Sequence, residues 1–267
     1  MGEVSNLEPN VSKKRESQTR LETAVAQIHH RFGPRSLVQG NQPATLDPRA
    51  SFPHISTGFH KLDEALSIGG LPKGRVSEVV GLPTSGKTTL ALKFLAQAQS
   101  TGGQVGYVDH ARCFDPDYAY RCGVDLSRLV IGTPYGPDDA LALSEALARS
   151  GGLTALILDT AAFFWADLGA AQQLTSFLHR LAAPLARSGT ALLFLHNSTE
   201  GESPFSTTLA HCATVRLQVV RERWKYLHGD IRGYDARVAV LKNRFAPAGR
   251  SVTIVIQFNG TVHGDGL

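Results

Sequence analysis

Residues 81–88 read GLPTSGKT, which sets two glycines, a lysine and a hydroxyl at the spacing G-x-x-x-x-G-K-[ST]. Each residue type has a task at a polyphosphate. Gly81 and Gly86 let backbone N–H groups curl around a phosphate at the positive end of the following helix. Lys87 is a point charge for the β- and γ-phosphates, and the Thr88 hydroxyl is a ligand for Mg²⁺. Thr84, Ser85 and Thr89 complete the loop and the first helical turn. The surroundings suit the motif, because RVSEVVG (75–81) reads as a strand and TTLALKFLAQAQS (88–100) as the helix after it. ALILD ends in Asp159, at the tip of an apolar run. Alone, such an acid reads as a helix cap; beside this loop it reads as support for a Mg²⁺-bound water. The expected ligands are ATP and Mg²⁺.

The elements that must position these residues alternate in type. QVGYVD (104–109), LTALILD (153–159) and TALLFLH (190–196) read as strands, with helical patterns at DDALALSEALARS (138–150) and AAQQLTSFLHRLAAPLARSG (170–189) between them. This alternation predicts an α/β fold with a mostly parallel sheet flanked by helices. TVRLQVVR, ARVAVLKN and SVTIVIQF follow without intervening helices and predict antiparallel strands that extend the sheet. Ahead of this core, LETAVAQIHHRF places Leu21, Val25, Ile28 and Phe32 on one helical stripe that ends at Gly33-Pro34. The expected organisation is a disordered polar tail over 1–17, a helix and Pro-rich linker over 18–50, and an ATP-binding core over 51–267.

No apolar run approaches bilayer length, and the N-terminus lacks the apolar region of a signal peptide, so a cytoplasmic protein with no membrane partner is expected. Cys113, Cys122 and Cys212 have no metal-ligand spacing and read as reduced thiols. The net charge of +4 is unevenly spread. Residues 216–250 hold nine Lys/Arg against three acids, which is either a surface for an anionic partner or a solvated basic face.

The segments ISTGFHKLDEALSIGGLPKGRVSEVVGLPTSGKTTL (55–90), YVDHARCFDPDYAYRCGVDLSRLVI (107–131), ILDT (157–160) and VLKNRFAP (240–247) occur in the order of the bacterial recombinase RecA. The chain resembles that family from about residue 21 onward. RFGPRSLVQG (31–40), with the helix before it, resembles the family's polymerisation segment. The resemblance implies a RecA-like P-loop core with an N-terminal polymerisation-type helix and, since the sequence stops at Leu267, no C-terminal domain. It places Asp115 at an adenine-contacting aspartate and Tyr118 at a base-stacking tyrosine, although Tyr118 also fits as an ordinary half-buried helix residue. Lys242 and Arg244 fall where two lysines reach the γ-phosphate held by the neighbouring subunit. Their period-two spacing puts both on one face, which suits one shared anion or a salt-bridged sheet edge. Asn197 takes the position of a glutamine that senses γ-phosphate.

The departures from the family are informative. Its general-base glutamate falls at Ala111, within YVDHARCFDP (107–116). Loss of a positioned base costs a factor of ~10²–10⁴ in rate, so ATP hydrolysis is expected to be weak or absent. TAAFFWADLGAA (160–171) shortens the first DNA-contacting loop, and leaves Phe163, Phe164 and Trp165 as core plugs or, preferentially, a docking patch. STEGESPFSTTLA (198–210), at the second such loop, carries Glu200 and Glu202 but no Lys or Arg, so DNA contact is expected to be weak. By architecture and by loss of parts the chain is similar to short RecA-like proteins such as the ImuA-type accessory factors of damage-induced mutagenesis. That implies a DNA-repair or SOS-response accessory whose partners are a RecA-like recombinase, itself or a translesion polymerase. The alternatives are an active DNA-dependent ATPase that forms filaments on single-stranded DNA, and a nucleotide-gated structural oligomer. Nucleoid association follows only if DNA is bound.

Overall fold

The computed structural model describes residues 8–33, 52–160, 168–197, 204–258 and 262–264. The expectations placed on Phe163–Trp165 and on Glu200 and Glu202 lie outside the described residues, as does all but the first three residues of the polymerisation-like segment. The chain divides into two units, residues 1–51 and 52–267.

The first unit contains helix α1 (Glu8–Phe32). It begins ten residues ahead of the expected helix, so residues 8–17 are helical rather than part of a disordered tail. The physical reason is local. Pro9 sits at the second helical residue, where a missing N–H costs nothing, and no glycine interrupts the run that follows. Arg31 occupies the last turn, where its positive charge complements the helix dipole. Gly33, at φ +89°, closes the helix by donating its N–H to His29 O at 2.9 Å.

The second unit is built on one large sheet. Its strands are β3 (Val76–Gly81), β4 (Gln104–Asp109), β5 (Leu129–Gly132), β6 (Leu153–Asp159), β7 (Ala191–Asn197), β8 (Val215–Leu227), β9 (Asp230–Asn243), β10 (Ser251–Phe258) and β11 (Val262–Gly264). Among the described residues their order is β11-β10-β9-β8-β3-β7-β6-β4-β5. A separate two-stranded pair, β1 (His54–Ile55) with β2 (Leu71–Pro72), precedes it. The helices are α2 (His60–Leu66), α3 (Lys87–Ser100), α4 (Pro116–Arg121), α5 (Pro137–Ser150), α6 (Leu168–Ser188) and α7 (Pro204–Cys212).

The central strands are apolar on both faces, which is why they read as continuous hydrophobic runs. Ile157 of β6 with Leu193 and Leu195 of β7 enters one core, against Leu90, Phe94 and Leu95 of α3. Leu156, Leu158, Leu192 and Phe194 enter the other, with Leu174, Phe177 and Leu181 of α6. The expected α/β architecture is present, and the last strands do pair antiparallel among themselves. β8, however, joins β3 in parallel. The crossover that permits this is α7, in a segment read from sequence as a loop. Phe205 and Leu209, four residues apart and both buried, seat this helix on the second core.

Register brings the carboxyl ends of four strands together. Gly81 pairs with Asn197, Asp109 with Asp159, and Asp159 with Leu195. In an open α/β sheet this is the edge at which ligands bind.

Candidate functional site

The phosphate loop leaves β3 at Gly81 and enters α3 at Lys87. Gly81 is required by contact as well as by motif, because a Cβ there would lie 2.4 Å from Val219 O of β8. Gly86 caps α3 at φ +107°, and a Cβ on it would meet the Tyr234 hydroxyl at 2.8 Å. Thr84 also has positive φ, +61°, a conformation uncommon for a branched residue and typical of functional turns. Ser85 is buried, and among the described residues its hydroxyl has no hydrogen-bond partner. Lys87 is 8% exposed and turns its ammonium back onto the loop, donating to Gly81 O at 2.9 Å and Leu82 O at 2.8 Å. Residues 84–89 line a cleft of about 240 Å³ together with Tyr118, Arg221, Trp224 and Tyr234.

An orphaned hydroxyl, a buried cation and the unsatisfied N–H groups at the start of a 14-residue helix fit a phosphate chain. Burial pushes Lys87 down to about 8, against the pull of Asp159, which raises it. A bound phosphate favours the charged lysine, so the bound pKa lies above the free one. Affinity for a phosphate ligand is therefore greatest below pH 8 and declines as pH rises through about 8. Titrations at about pH 7 and about pH 9.5 check this; equal affinity at both would contradict it.

Asp159 closes β6 with its carboxyl pushed up to about 6, chiefly by burial, while the Tyr107 hydroxyl that donates to it pulls the other way. It still ionises at neutral pH and stands close enough to Lys87 for each to shift the other. Thr88 is exposed on the cleft wall. Thr88 and Asp159 are thus the residues present that suit a hard divalent cation bound beside phosphates.

The remaining expected residues divide. Tyr118 lines the cleft, half-buried, with its hydroxyl 2.7 Å from Thr89 Oγ1. Asp115 is exposed and serves as the N-cap of α4, accepting from Tyr118 N at 3.0 Å; the cleft lining does not include it. Asn197 closes β7 in register with Gly81. Lys242 and Arg244 do act together, but on the chain's own helix. Lys242 Nζ donates to Ala210 O and His211 O at 2.7 and 2.6 Å, and Arg244 donates to His211 O at 3.0 Å. They complement the negative end of α7 rather than forming a salt-bridged sheet edge.

The basic tract is largely satisfied within the chain. Arg216 pairs with Glu78, Arg223 and Lys225 with Asp235, Arg232 with Asp230, and Arg237 with Glu222. Arg221 donates to Thr84 O and Arg250 to Ser67 Oγ. These partners favour the solvated-face alternative over an anion-binding surface.

Around Ala111, which is half-buried, the backbone is held by Asp109. Its Oδ1 accepts from Cys113 N at 3.1 Å and its Oδ2 from Phe114 N at 2.9 Å. Sequence reasoning missed Arg221, Trp224 and Tyr234 at the cleft. They arrive on the long β8–β9 hairpin, whose two-residue turn, His228-Gly229, has φ +52° and +88° and was a legible signal.

The comparisons with known proteins agree with this architecture. Residues 19–263 match the family model of the RecA N-terminal domain. The chain is 33% identical to Protein RecA of Rubrobacter xylanophilus, an alignment covering 92% of this chain and 76% of that protein. It is 34% identical to Protein RecA of Caulobacter vibrioides (91% and 73%) and 35% identical to that of Frankia alni (92% and 76%).

Proposed function

Because the chain belongs to the RecA family, we propose that it binds ATP with Mg²⁺ at the loop 81–88 and serves DNA repair as an accessory or regulator with weak or absent hydrolysis. The observation that carries this reading is Ala111 at the position of the family's general base, within a turn whose neighbouring carboxylate is already engaged. Asp109 spends both oxygens on backbone N–H groups. Asp159 accepts from Tyr107 and is the residue suited to the metal. Glu78 is fully buried in the sheet between His196 and Arg216.

When bound, the magnesium nucleotide supplies a polarised γ-phosphoryl group. The chain's own contribution is to bind and orient it. Lys87 and the loop N–H groups take the phosphates, Thr88 and Asp159 suit the metal, and Asn197 stands beside the loop for the γ-phosphate. The engagement of Asp109, Asp159 and Glu78 elsewhere supports ATP as a ligand that stabilises an interface rather than as a fuel. That interface is with a RecA-like recombinase, another copy of this chain or a translesion polymerase, in the setting of damage-induced mutagenesis.

A second reading, an active DNA-stimulated ATPase or recombinase, draws on the intact loop and on Lys242 and Arg244 as contacts to a neighbouring subunit's γ-phosphate. The two readings separate in strand exchange. The accessory role predicts that stoichiometric amounts of the purified chain bind RecA or alter its strand exchange, without strand exchange by this chain alone. Neither binding nor an effect would remove a RecA filament as the target of the accessory role.

A further inference from the structure

Three side chains of the β8–β9 hairpin stand at the cleft beside the phosphate loop. Arg221 Nη1 donates to Thr84 O at 2.9 Å, and its guanidinium carbon lies 4.2 Å from the centroid of the Trp224 ring. Trp224 meets Tyr234 edge-on, with centroids 5.6 Å apart and an interplanar angle of 77°. The Tyr234 hydroxyl lies 3.2 Å from Thr89 Oγ1, the atom that also holds Tyr118. Both tyrosine rings are therefore fixed before any ligand arrives, with their hydroxyls directed at the first turn of α3. Trp224 remains 36% exposed, a large aromatic surface on the cleft wall.

We propose that Trp224, backed by Arg221 and Tyr234, is a wall of the base subsite, so that the hairpin acts with Tyr118 to hold the base of the bound nucleotide. The inference rests on the reading of loop 81–88 as a nucleotide site and names what grips the other end of the ligand. Its physical basis is the separation of chemistries within one cleft. The cation, the orphaned Ser85 hydroxyl and the helix N-terminus suit phosphates, whereas Tyr118, Trp224 and Tyr234 offer π surface, which every base can use. Arg221 stacks on the indole and so holds the ring in place, and its bond to Thr84 O ties that ring to the phosphate loop. The rings are ordered in advance, which lowers the cost of immobilising them on binding. A purine offers the larger stacking area, so a purine nucleoside triphosphate is the expected ligand class.

Inorganic tripolyphosphate is the probe that tests the base separately, since it presents the phosphate chain alone. In a Trp165→Phe background, Trp224 is the sole indole of the chain. ATP is expected to change its emission saturably, while tripolyphosphate binds, as read by calorimetry, and leaves the emission unchanged. Trp224→Ala is expected to weaken ATP by ~5–150-fold, the range for loss of one stacked base, without weakening tripolyphosphate, and Trp224→Phe to fall between. Equal losses for both ligands would mean that the hairpin only braces the loop, and would overturn the proposal. So would an unchanged ATP affinity in Trp224→Ala, or an indole emission blind to bound ATP. If neither ligand binds the unsubstituted chain, the nucleotide reading itself falls and takes this inference with it. Binding of both ligands without a Trp224 effect removes this inference alone.

Discussion

Ala111→Glu is expected to raise ATP turnover by ~10²–10⁴-fold, the contribution of a positioned general base. The backbone that would carry the new carboxylate is set independently of residue 111. β4 ends at Asp109, whose two oxygens hold the N–H groups of Cys113 and Phe114, and His110 N donates to Asp159 O at 3.1 Å. A half-buried position just past the end of β4, whose last residue is in register with Asp159, gives a glutamate limited freedom on the carboxyl edge of the sheet. Single-turnover hydrolysis by the variant, with Ala111→Gln as a match in size that lacks a base, measures the effect. A rate that stays at the Ala111 level while ATP remains bound would mean that the missing glutamate is not what limits hydrolysis.

The largest expected effect on stability belongs to Glu78, in the middle of the strand that leads to the loop. Its side chain is fully buried, with Oε1 bonded to His196 Nε2 of β7 and Oε2 2.9 Å from Arg216 Nε of β8. One carboxylate thus joins the two strands that flank β3. Glu78→Ala leaves a largely buried guanidinium and a buried imidazole without their acid, and removing one partner of such a cluster costs about 3–5 kcal/mol. For a unit of this size that corresponds to a fall in Tm of roughly 6–20 °C. Thermal melting of the ligand-free chain measures it. A shift below a few degrees would show that β3, β7 and β8 are held by their apolar faces and ladders alone. The stabilising contribution is distinct from the site chemistry, since no atom of Glu78 lines the cleft.

How much was legible in the sequence follows from how local each signal is. QVGYVD and LTALILD coincide with β4 and β6, because strands buried on both faces leave unbroken apolar runs bounded by Gly and Asp. The loop was legible for the same reason, its chemistry being carried by eight consecutive residues. The β8–β9 hairpin was read too short. Apolar alternation fades at Arg221, and the strand continues through RERWKYL on cross-strand ion pairs, Arg223 and Lys225 with Asp235 and Arg237 with Glu222. α7 was missed because its residues fall where the family resemblance places a DNA-contacting loop, while Phe205 and Leu209 carried the helical spacing. The tail over 8–17 was judged by its lack of an apolar stripe, although helix propensity needs none. Arg221 could not be placed at Thr84 by any local pattern, since 137 residues separate them and only the parallel docking of β8 on β3 brings them together.

The most direct test of the central claim is ATP binding and ATP turnover measured on one preparation, with and without single-stranded DNA, and with Lys87→Ala as the blank. The account predicts saturable binding that the substitution removes, together with turnover indistinguishable from the blank in both conditions. Turnover well above the blank that rises when DNA is added would contradict it, and would mean that another group of this chain does the work of the glutamate absent at position 111.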